Sequence, residues 1–302
     1  MAVVNKRIFC PTATAVNGVS VGGTVSVRLT AGFDNILRSG ADGLQVPIVD
    51  RDVQFVRGSV TVQDWPKVLD LLTGTVSNLV FYERKSGTGP TGGYIKHTLN
   101  NPCIHNIRLE IRQGSYASVS FDFECRFGDE TAAIADVWQQ TDAQNAPTYV
   151  SAARGGWRIR SCLHGSTAIA HPLGLSLSVS VPMLRACNDA DLGYTAVDLS
   201  PECGLAVNGS LSFQDASIQN NVILSNRLLT SSAAALQLVL VQSAGGAPLE
   251  LTIARVLFGS VDASGGQLAY DVFSMPISIC NNPSAPLTLA GPNKLINIEE
   301  AP

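Results

Sequence analysis

The chain has 302 residues and a formal net charge of −4; 45% of its residues are hydrophobic and only 15% are charged. Ordinary soluble domains are about 25% charged, so this composition favours a protein that buries much of its surface against partners. A dedicated nucleic-acid binder needs a surplus of Lys and Arg to neutralise phosphates, and the negative net charge argues against that role. The length corresponds to about two domains of roughly 150 residues.

The sequence carries no recognisable export or membrane signal. Lys6 and Arg7 precede Cys10 and Pro11, where a signal peptide would have an apolar stretch. No run approaches the ~20 apolar residues of a membrane helix. The seven cysteines are scattered singly without a CxxC pair. This pattern predicts free, buried thiols in a reducing compartment and argues against zinc and redox motifs.

Alternation of apolar and polar residues predicts mostly β-strands in the first half. The predicted elements, in chain order, are a strand over 23–29, a long exposed loop over 31–43, strands over 53–56 and 59–63, a helix, a strand over 77–84, a turn-rich loop over 85–93, a strand over 94–97, and strands over 104–111 and 116–127. Asp64 is a suitable N-cap for the helix, Pro66 fits its first turn, and Gly74 fits its end.

Alternation assigns the residues of two of these strands to faces, with Val80 and Tyr82 opposite Leu79 in the first of them. Leu79, Phe81 and Glu83 share one side of their strand, and four residues line one face of the later strand: Val119, Phe121, Phe123 and Cys125. After them, Asp129 is a possible cap for a helix over 131–138. The segment 142–156 contains Pro147 and reads as a linker.

The second half repeats this order of elements. The predictions are a strand over 175–181, a loop over 185–198, a strand over 205–213, a helix over 216–229, and strands over 236–242, 249–257 and 267–279. The segment 281–302 is rich in Pro and Asn and is predicted to lie on a surface or on a neighbouring molecule.

A short sequence match supports an internal duplication. The segments 58–64 and 209–215 share four identical residues in the same alternation, 151 positions apart. Weaker matches follow in the same order along both halves: 7–10 with 158–162, 25–27 with 179–181, 79–81 with 238–240, and 121–123 with 270–272. Their offsets vary, as expected when loops between strands change length.

Candidate catalytic motifs lack their required context. Gly18–Gly22 matches G-x-S-x-G, but the following residues predict a strand where a nucleophile elbow needs a helix. Gly87–Gly92 matches G-x-G-x-x-G, but it joins two β segments. His97 and His105 have no nearby carboxylate pair, and Asp129-Glu130 is better explained as a helix cap. The sequence therefore predicts no catalytic residues, no cofactor-binding residues, no metal ligands and no cofactor, and the protein is not expected to be an enzyme.

One further cluster combines aromatic and basic residues. Arg154, Trp157, Arg158 and Arg160 lie close together in the sequence. In an acidic chain such a group is better explained as an inter-domain or subunit contact than as a nucleic-acid site, since Trp and Arg are enriched at protein interfaces.

The order of elements resembles that of bacteriophage tail-tube proteins. The resemblance rests on 60–64, 69–74, 79–82 and 118–127, and it recurs more weakly at 211–215 and 238–241. It implies a β-sandwich or barrel that closes with its neighbours into a ring, whose inner sheets surround a lumen. It also implies an outer helix and a long loop, here 30–50, that reaches an adjacent ring. The lumen admits a tape-measure protein and then DNA, which the modest negative charge does not hold.

The chain departs from that family because it is duplicated. The expected fold is mainly β: two tandem antiparallel β-sandwich or barrel domains, each with one inserted helix. The expected boundaries are 1–128 for the first domain, 129–156 for a helical segment and linker, 157–280 for the second domain, and 281–302 for a C-terminal extension. Two domains per chain allow a ring of three chains with pseudo-sixfold symmetry, or six chains that each place one domain in the tube.

The resemblance also sets the expected function, location and partners. The chain is expected to be a structural virion protein of a phage tail or related contractile injection system, assembled in the host cytoplasm. Its expected partners are further copies of itself in stacked rings, and sheath, tape-measure or baseplate proteins; DNA is only transient cargo, and no membrane is involved. The alternatives are a capsid, other virion-shell or baseplate-hub protein, and, ranked lower because only 6% of residues are aromatic, a carbohydrate- or peptide-binding module.

Overall fold

The computed structural model describes residues 11–39, 47–72, 75–85, 93–127, 133–143, 145, 156–187, 196–201, 205–214, 232–243, 245–260, 262–266, 269–280, 285, 287–289 and 293–301. The described chain is mainly β, with large antiparallel sheets, and this part of the predicted fold class is confirmed. The first half contains β1 (Pro11–Val16), β2 (Val19–Val21), β3 (Thr24–Ser39), β4 (Pro47–Val62), α1 (Trp65–Leu72), β5 (Asn78–Arg84), β6 (Tyr94–Asn100), β7 (Pro102–Arg112), β8 (Ser118–Cys125), α2 (Ile134–Val137) and β9 (Trp138–Ala143).

The second half consists of strands in the part that is described. They are β10 (Trp157–His164), β11 (Thr167–Ala168), β12 (Pro172–Ser180), β13 (Met183–Cys187), β14 (Ala196–Pro201), β15 (Ala206–Phe213), β16 (Ala234–Gln242), β17 (Leu249–Phe258), β18 (Asp262–Gly266), β19 (Ala269–Ile279) and β20 (Ile296–Glu300). The helix predicted over 216–229 lies outside the described residues.

The predicted strand faces and the first helix are confirmed. The four inward residues of β8 are all buried, as are Leu79, Phe81 and Glu83 of β5. The main-chain carbonyl of Asp64 accepts a hydrogen bond from the N–H of Val68 at 3.1 Å, so Asp64 occupies the N-cap position. One face of α1 is buried, which fixes the helix against the sheets through Trp65, Val68, Leu69 and Leu72.

The predicted loop over 31–43 is wrong over 31–39, and 40–43 lie outside the described residues. β3 continues to Ser39 and pairs with β4 along its whole length, so the two strands form a long ribbon. Composition misled the prediction, because a two-stranded ribbon tolerates Gly, Asp and Asn when main-chain hydrogen bonds hold it and a bulge adjusts its twist. One such irregularity lies between Phe33 and Asn35. The predicted loop over 185–198 likewise begins and ends in a paired ribbon, β13 with β14.

Two segments outside the predicted domain cores also join the sheets. α2 is only four residues long, and Trp138, which was predicted to be helical, begins β9 and pairs with Leu99 of β6. β20, in the predicted C-terminal extension, pairs with β17. The predicted domain boundaries stay a prediction, but 138–143 and 296–300 each supply the last strand of a sheet.

The strands pair into a five-stranded sheet, a 13-stranded sheet and the two-stranded ribbon of β13 and β14. The 13-stranded sheet has two parts, named the second small sheet and the shared sheet. The first small sheet has the order β2-β1-β5-β6-β9. The matching strands β11-β10-β16-β17-β20 form the second small sheet. The shared sheet has the order β3-β4-β8-β7-β12-β15-β19, with β18 paired to β19. Because β17 also pairs with β19, the second small sheet joins the shared sheet.

The pairings of the two halves, named the first repeat (β1–β9) and the second repeat (β10–β20), match position by position. Gly58 pairs with Phe123 in the first repeat, and Gly209 pairs with Ile277 in the second. The pairing of β3 with β4 shifts register after Thr24, and the pairing of β12 with β15 shifts at the matching Pro172. This correspondence confirms the 151-residue offset between 58–64 and 209–215 where both are described.

The other sequence matches that can be checked were wrong in register. The strand pairings equate Val27 with Leu175, not Val181, and Leu79 with Leu236, not Leu238. They equate Phe123 with Ile277, not Val272. The alternating V-S-V and Y-D-V patterns recur too often in strands to fix a register. The match at 7–10 lies outside the described residues.

A sharp backbone feature recurs where a strand crosses from a small sheet to the shared sheet. Asn101, between β6 and β7, has φ +50°, and Arg255, within β17, has φ +54°. The carbonyl of Asn101 accepts a hydrogen bond from the N–H of Arg126, and that of Arg255 accepts one from the N–H of Cys280, both at 2.9 Å. Left-handed backbone is rare in non-glycine residues, so this shared crossover supports the equivalence of the two repeats.

Candidate functional site: the polar face of the shared sheet

The two repeats are joined by one strand pairing, named the seam. β7 of the first repeat pairs antiparallel with β12 of the second over seven residue pairs, from Arg112↔Gly174 to Asn106↔Ser180. β12 is the counterpart of β3, the outermost strand of the first repeat in the shared sheet. One edge of the first repeat therefore meets the opposite edge of the second, which makes the contact head-to-tail.

The inner face of the seam is a continuous apolar layer. Six aliphatic side chains from β7 and β12 interdigitate there, each at most 1% exposed: Ile107, Leu109, Ile111, Leu175, Leu177 and Val179. Beside them, Trp65 of α1 packs edge-on against Trp157 of β10, with ring centroids 5.3 Å apart. Of the predicted Arg and Trp contact cluster, Trp157 makes this contact, Arg158 and Arg160 are exposed, and Arg154 lies outside the described residues. Burial of this size makes the seam a permanent part of the core.

The outer face of the shared sheet is polar across both repeats. Alternation places small hydroxyl side chains on this face of β8, β12 and β15: Ser118, Ser120, Ser176, Ser178, Ser210 and Ser212. A shallow depression of about 490 Å³ lies at the seam between these serines and Gln113. Ser176 is exposed and the other five serines are half-buried, so this face presents hydroxyl groups to solvent.

The charges on this face compensate one another. Arg108 Nη2 donates to Asp122 Oδ2 at 3.2 Å, and Asn106 Nδ2 donates to the same oxygen at 3.0 Å. Arg112 Nη2 lies 2.6 Å from Glu110 Oε1. Arg108 and Arg112 are each engaged by a neighbouring carboxylate, which reduces the uncompensated positive charge that this part of the face offers to a polyanion.

A buried polar cluster lies inside the first small sheet. His97 Nε2 is 3.0 Å from Glu83 Oε2, and both side chains are about 2% exposed. Trp138 Nε1 donates to His97 Nδ1 at 3.2 Å. Because an indole N–H can only donate, Nδ1 acts as the acceptor and Nε2 carries the proton donated to Glu83. A cavity of about 430 Å³, bordered also by Val27 and Leu29 of β3, lies beside this cluster.

The second repeat holds apolar residues at the matching positions. The strand pairings equate Glu83, His97 and Trp138 with Leu240, Leu251 and Ile296. These three aliphatic side chains are at most 1% exposed. The Glu–His–Trp cluster is therefore a property of the first repeat and is not needed for this arrangement of strands.

Two thiols in the core are chemically quiet. Burial raises the pKa of the Cys162 thiol to about 12. Burial, with smaller contributions from Cys103 and Glu124, raises the pKa of Cys125 well above its ordinary value. A thiol that keeps its proton is a poor nucleophile and a poor metal ligand, so neither residue is a candidate for covalent chemistry at neutral pH.

The motif residues predicted from sequence lie in different parts of the fold. Asn17 and Gly18 form the left-handed turn between β1 and β2, and a strand follows Gly22, as predicted for that motif. Residues 87–92, Asp129 and Glu130 lie outside the described residues. His97 is in the first small sheet, whereas His105 is in the shared sheet beyond the crossover at Asn101.

Sequence reasoning missed the link between Glu83 and His97. The signal that was available is a charged residue on a predicted apolar face, since Glu83 alternates with Leu79 and Phe81. The partner was hidden because seven residues, 86–92, lie between the two strands in sequence, and that spacing does not fix their register. Over the described residues, no group of three or more His, Cys, Asp or Glu side chains is placed to hold a metal ion.

Comparison with known proteins does not identify the chain. No protein-family model matches it, and no curated protein sequence matches it. Among the described residues, none of the helices has the length and apolar character needed to cross a bilayer. The function has to be argued from the geometry of the sheets.

Proposed function

We propose that the chain is a self-assembling structural protein of a phage tail or related injection machine, in which it forms rings or a tube. The observation that carries this proposal is the head-to-tail seam within one chain, which joins two repeats in one shared sheet with a polar outer face. A head-to-tail contact does not use up its own edges, so the same contact made between chains propagates until the assembly closes into a ring or extends as a filament.

The seam also favours one of the two ring arrangements. Because β7 and β12 place both repeats in the same sheet, both stand side by side as parts of one wall. This supports a ring of three chains with pseudo-sixfold symmetry over a ring in which six chains each place one domain outside. Each chain then supplies two of the tandem β-sandwich units that the resemblance to tail-tube proteins implies.

The polar face fits the wall of a lumen through which DNA passes. A lumen must stay wetted and must not hold phosphates, and the serine-rich surface with internally paired arginines meets both requirements. The tape-measure protein and DNA are then transient contents of the channel. Sheath, tape-measure and baseplate proteins are the proposed partners, and the tail of the virion is the proposed location.

Electron microscopy of the purified chain tests this function. We expect rings or stacked rings of uniform diameter in negative stain, and class averages that resolve six wall units. A species that stays monomeric at high protein concentration would contradict the proposal. Closed icosahedral shells would instead favour the capsid alternative.

A further inference from the structure

The two ends of the shared sheet are free strand edges. Within the described residues, β3 pairs along only one side, with β4, and β18 pairs along only one side, with β19. Exposed strand edges present unpaired main-chain donors and acceptors, which makes them templates for another strand. Both edges therefore need a partner or protection.

The seam shows which strands these two edges correspond to. Val119 pairs with Val62 in the first repeat, and Phe273 pairs with Phe213 in the second, so Val119 and Phe273 are equivalent. On their other side, Val119 pairs with Leu109 of β7 and Phe273 pairs with Ala263 of β18. β18 is thus the second repeat's counterpart of β7. β3 is likewise the counterpart of β12. The two free edges are therefore equivalent to the two strands that pair in the seam, and they lie at opposite ends of the shared sheet.

Burial along β3 indicates that something is missing from this edge. Leu175 and Leu177 in the seam are 1% exposed, whereas their counterparts Val27 and Leu29 are more exposed and border the 430 Å³ cavity. Val25, in the same strand, is 56% exposed. In the seam, the equivalent space is covered by the other repeat.

Charge complementarity fits the register that the seam dictates. Replacing each residue of the seam by its counterpart in the other repeat gives the pairs expected between two copies. Ser176↔Glu110 becomes Arg28↔Ser264, and Ser178↔Arg108 becomes Thr30↔Asp262. All four side chains of the transferred pairs are exposed. In this register Arg28 and Asp262 lie diagonally on the same face, where side chains of opposite charge attract across strands.

We propose that β18 of one copy pairs antiparallel with β3 of a second copy, with Ser264 opposite Arg28, and that the Arg28–Asp262 charge pair selects this register. The proposal rests on the proposed ring function and names the surfaces that close the ring. This contact between copies contributes less apolar side chain than the seam, because β18 has Ala263 and Gly265 at the positions of Leu109 and Ile111 in β7. Chain-to-chain contacts are therefore the weaker joints of the wall.

Cysteine cross-linking tests the register. In a Cys280→Ser background, which removes an exposed thiol, mild oxidation of the double variant Arg28→Cys/Ser264→Cys should link chains covalently into a closed oligomer on a non-reducing gel. The double variant Glu110→Cys/Ser176→Cys places the same pair inside one chain and should form an intrachain bond, which calibrates the reaction.

Three controls separate the possible failures. Arg28→Cys/Asp262→Cys is two residues out of register on the same face and should cross-link at least tenfold less. Efficient linkage by Arg28→Cys alone would indicate β3–β3 pairing and would overturn the proposal. Rings in the microscope without the Arg28–Ser264 link would overturn the register but not the ring, whereas absence of rings in the parent chain would overturn the proposed function itself.

Charge reversal tests the selecting pair independently. Arg28→Glu should weaken assembly at least tenfold in protein concentration, measured by light scattering at low salt, and adding Asp262→Arg should restore it. Assembly unaffected by Arg28→Glu, or not restored in the double variant, would remove the charge pair from the proposal.

Discussion

The interior of the first small sheet holds Thr14, Glu83 and His97, whereas the matching positions in the second small sheet hold Cys162, Leu240 and Leu251. The strand order and register are the same in both. The side chains inside the sheet therefore do not determine the pairing. Main-chain hydrogen bonds, shared bulges and close approaches of the backbone are the features that the two repeats have in common.

The polar side chains inside the first small sheet are held by hydrogen bonds, and burying them costs free energy. Thr14 Oγ1 lies 2.8 Å from Thr24 Oγ1, and Glu83, His97 and Trp138 form a hydrogen-bonded chain. Buried polar groups are tolerated when paired and are expensive when one partner is removed. Single substitutions at these polar positions should therefore destabilise the first repeat, whereas the second repeat has no polar pair at the matching positions to break.

The largest expected effect is on the Glu83–His97 pair. His97→Leu leaves the Glu83 carboxyl without this partner and should lower the free energy of unfolding by about 3 kcal/mol. The double variant Glu83→Leu/His97→Leu installs two of the three residues of the second repeat and should recover part of that loss, since Trp138 Nε1 still loses His97 as an acceptor. Urea unfolding of the unassembled chain, followed by circular dichroism, measures both.

The reciprocal change serves as the matched control. Leu240→Glu buries a carboxyl group without its histidine and should cost about 4 kcal/mol or more, and adding Leu251→His should return part of it. If the double variant in the first repeat is no more stable than His97→Leu alone, the two sheets are not interchangeable in the way the pairings indicate.

A smaller effect is expected at the glycines that begin the sequence repeat. A Cβ at Gly58 would collide with the carbonyl oxygen of Arg28 and with the Phe123 ring, and a Cβ at Gly209 would lie 2.5 Å from the carbonyl oxygen of Ser176. Gly58→Ala should lower the free energy of unfolding by about 2 kcal/mol and Gly209→Ala by about 1.5 kcal/mol.

Gly259→Ala is the control for this pair, since nothing lies within 4 Å of its added Cβ. It should change stability by less than about 0.5 kcal/mol. A Gly58→Ala variant as stable as the Gly259→Ala variant would show that the close approach to Arg28 does not constrain the first repeat.

The smallest effect concerns Cys162, whose counterpart Thr14 does not titrate. Its pKa is raised from 9.0 to about 12 by burial. The native thiol therefore holds its proton between these values while the unfolded thiol loses it, so stability falls as pH rises above about 9. Cys162→Val should reduce this alkaline loss, as measured by urea unfolding from pH 8 to pH 11. An unchanged pH slope would contradict the assignment.

The sequence predicted the strands well because alternation is local. β5 and β8 were predicted from which residues share a face, and β15 from its place in the repeated order of elements. The equivalence of β7 with β18 could not be predicted, since residues 99–126 and 253–280 agree only at Gln113/Gln267, Tyr116/Tyr270 and Ser120/Ser274. Pairing that joins strands distant in sequence depends on backbone geometry that these residues do not encode locally.

The predictions missed the ribbon of β3 and β4 and the Glu83–His97 contact for related reasons. Gly, Asp and Asn in 31–43 are turn-forming residues, and only the pairing partner reveals that the segment is extended. Glu83 was correctly placed on the same side as Leu79 and Phe81, but its partner is fixed by the register of β5 with β6. In both cases the missing information was the identity of the neighbouring strand.

The seam between β7 and β12 affects both the number of repeats in an assembly and how its formation depends on protein concentration. Because it lies within one chain, any assembly built by repeating this contact contains an even number of repeats, and every second joint exists as soon as the chain has folded. Such joints cost no translational freedom of a second molecule, so only half of the contacts depend on protein concentration. A duplicated chain of this kind sets the parity of its assembly before any two copies meet.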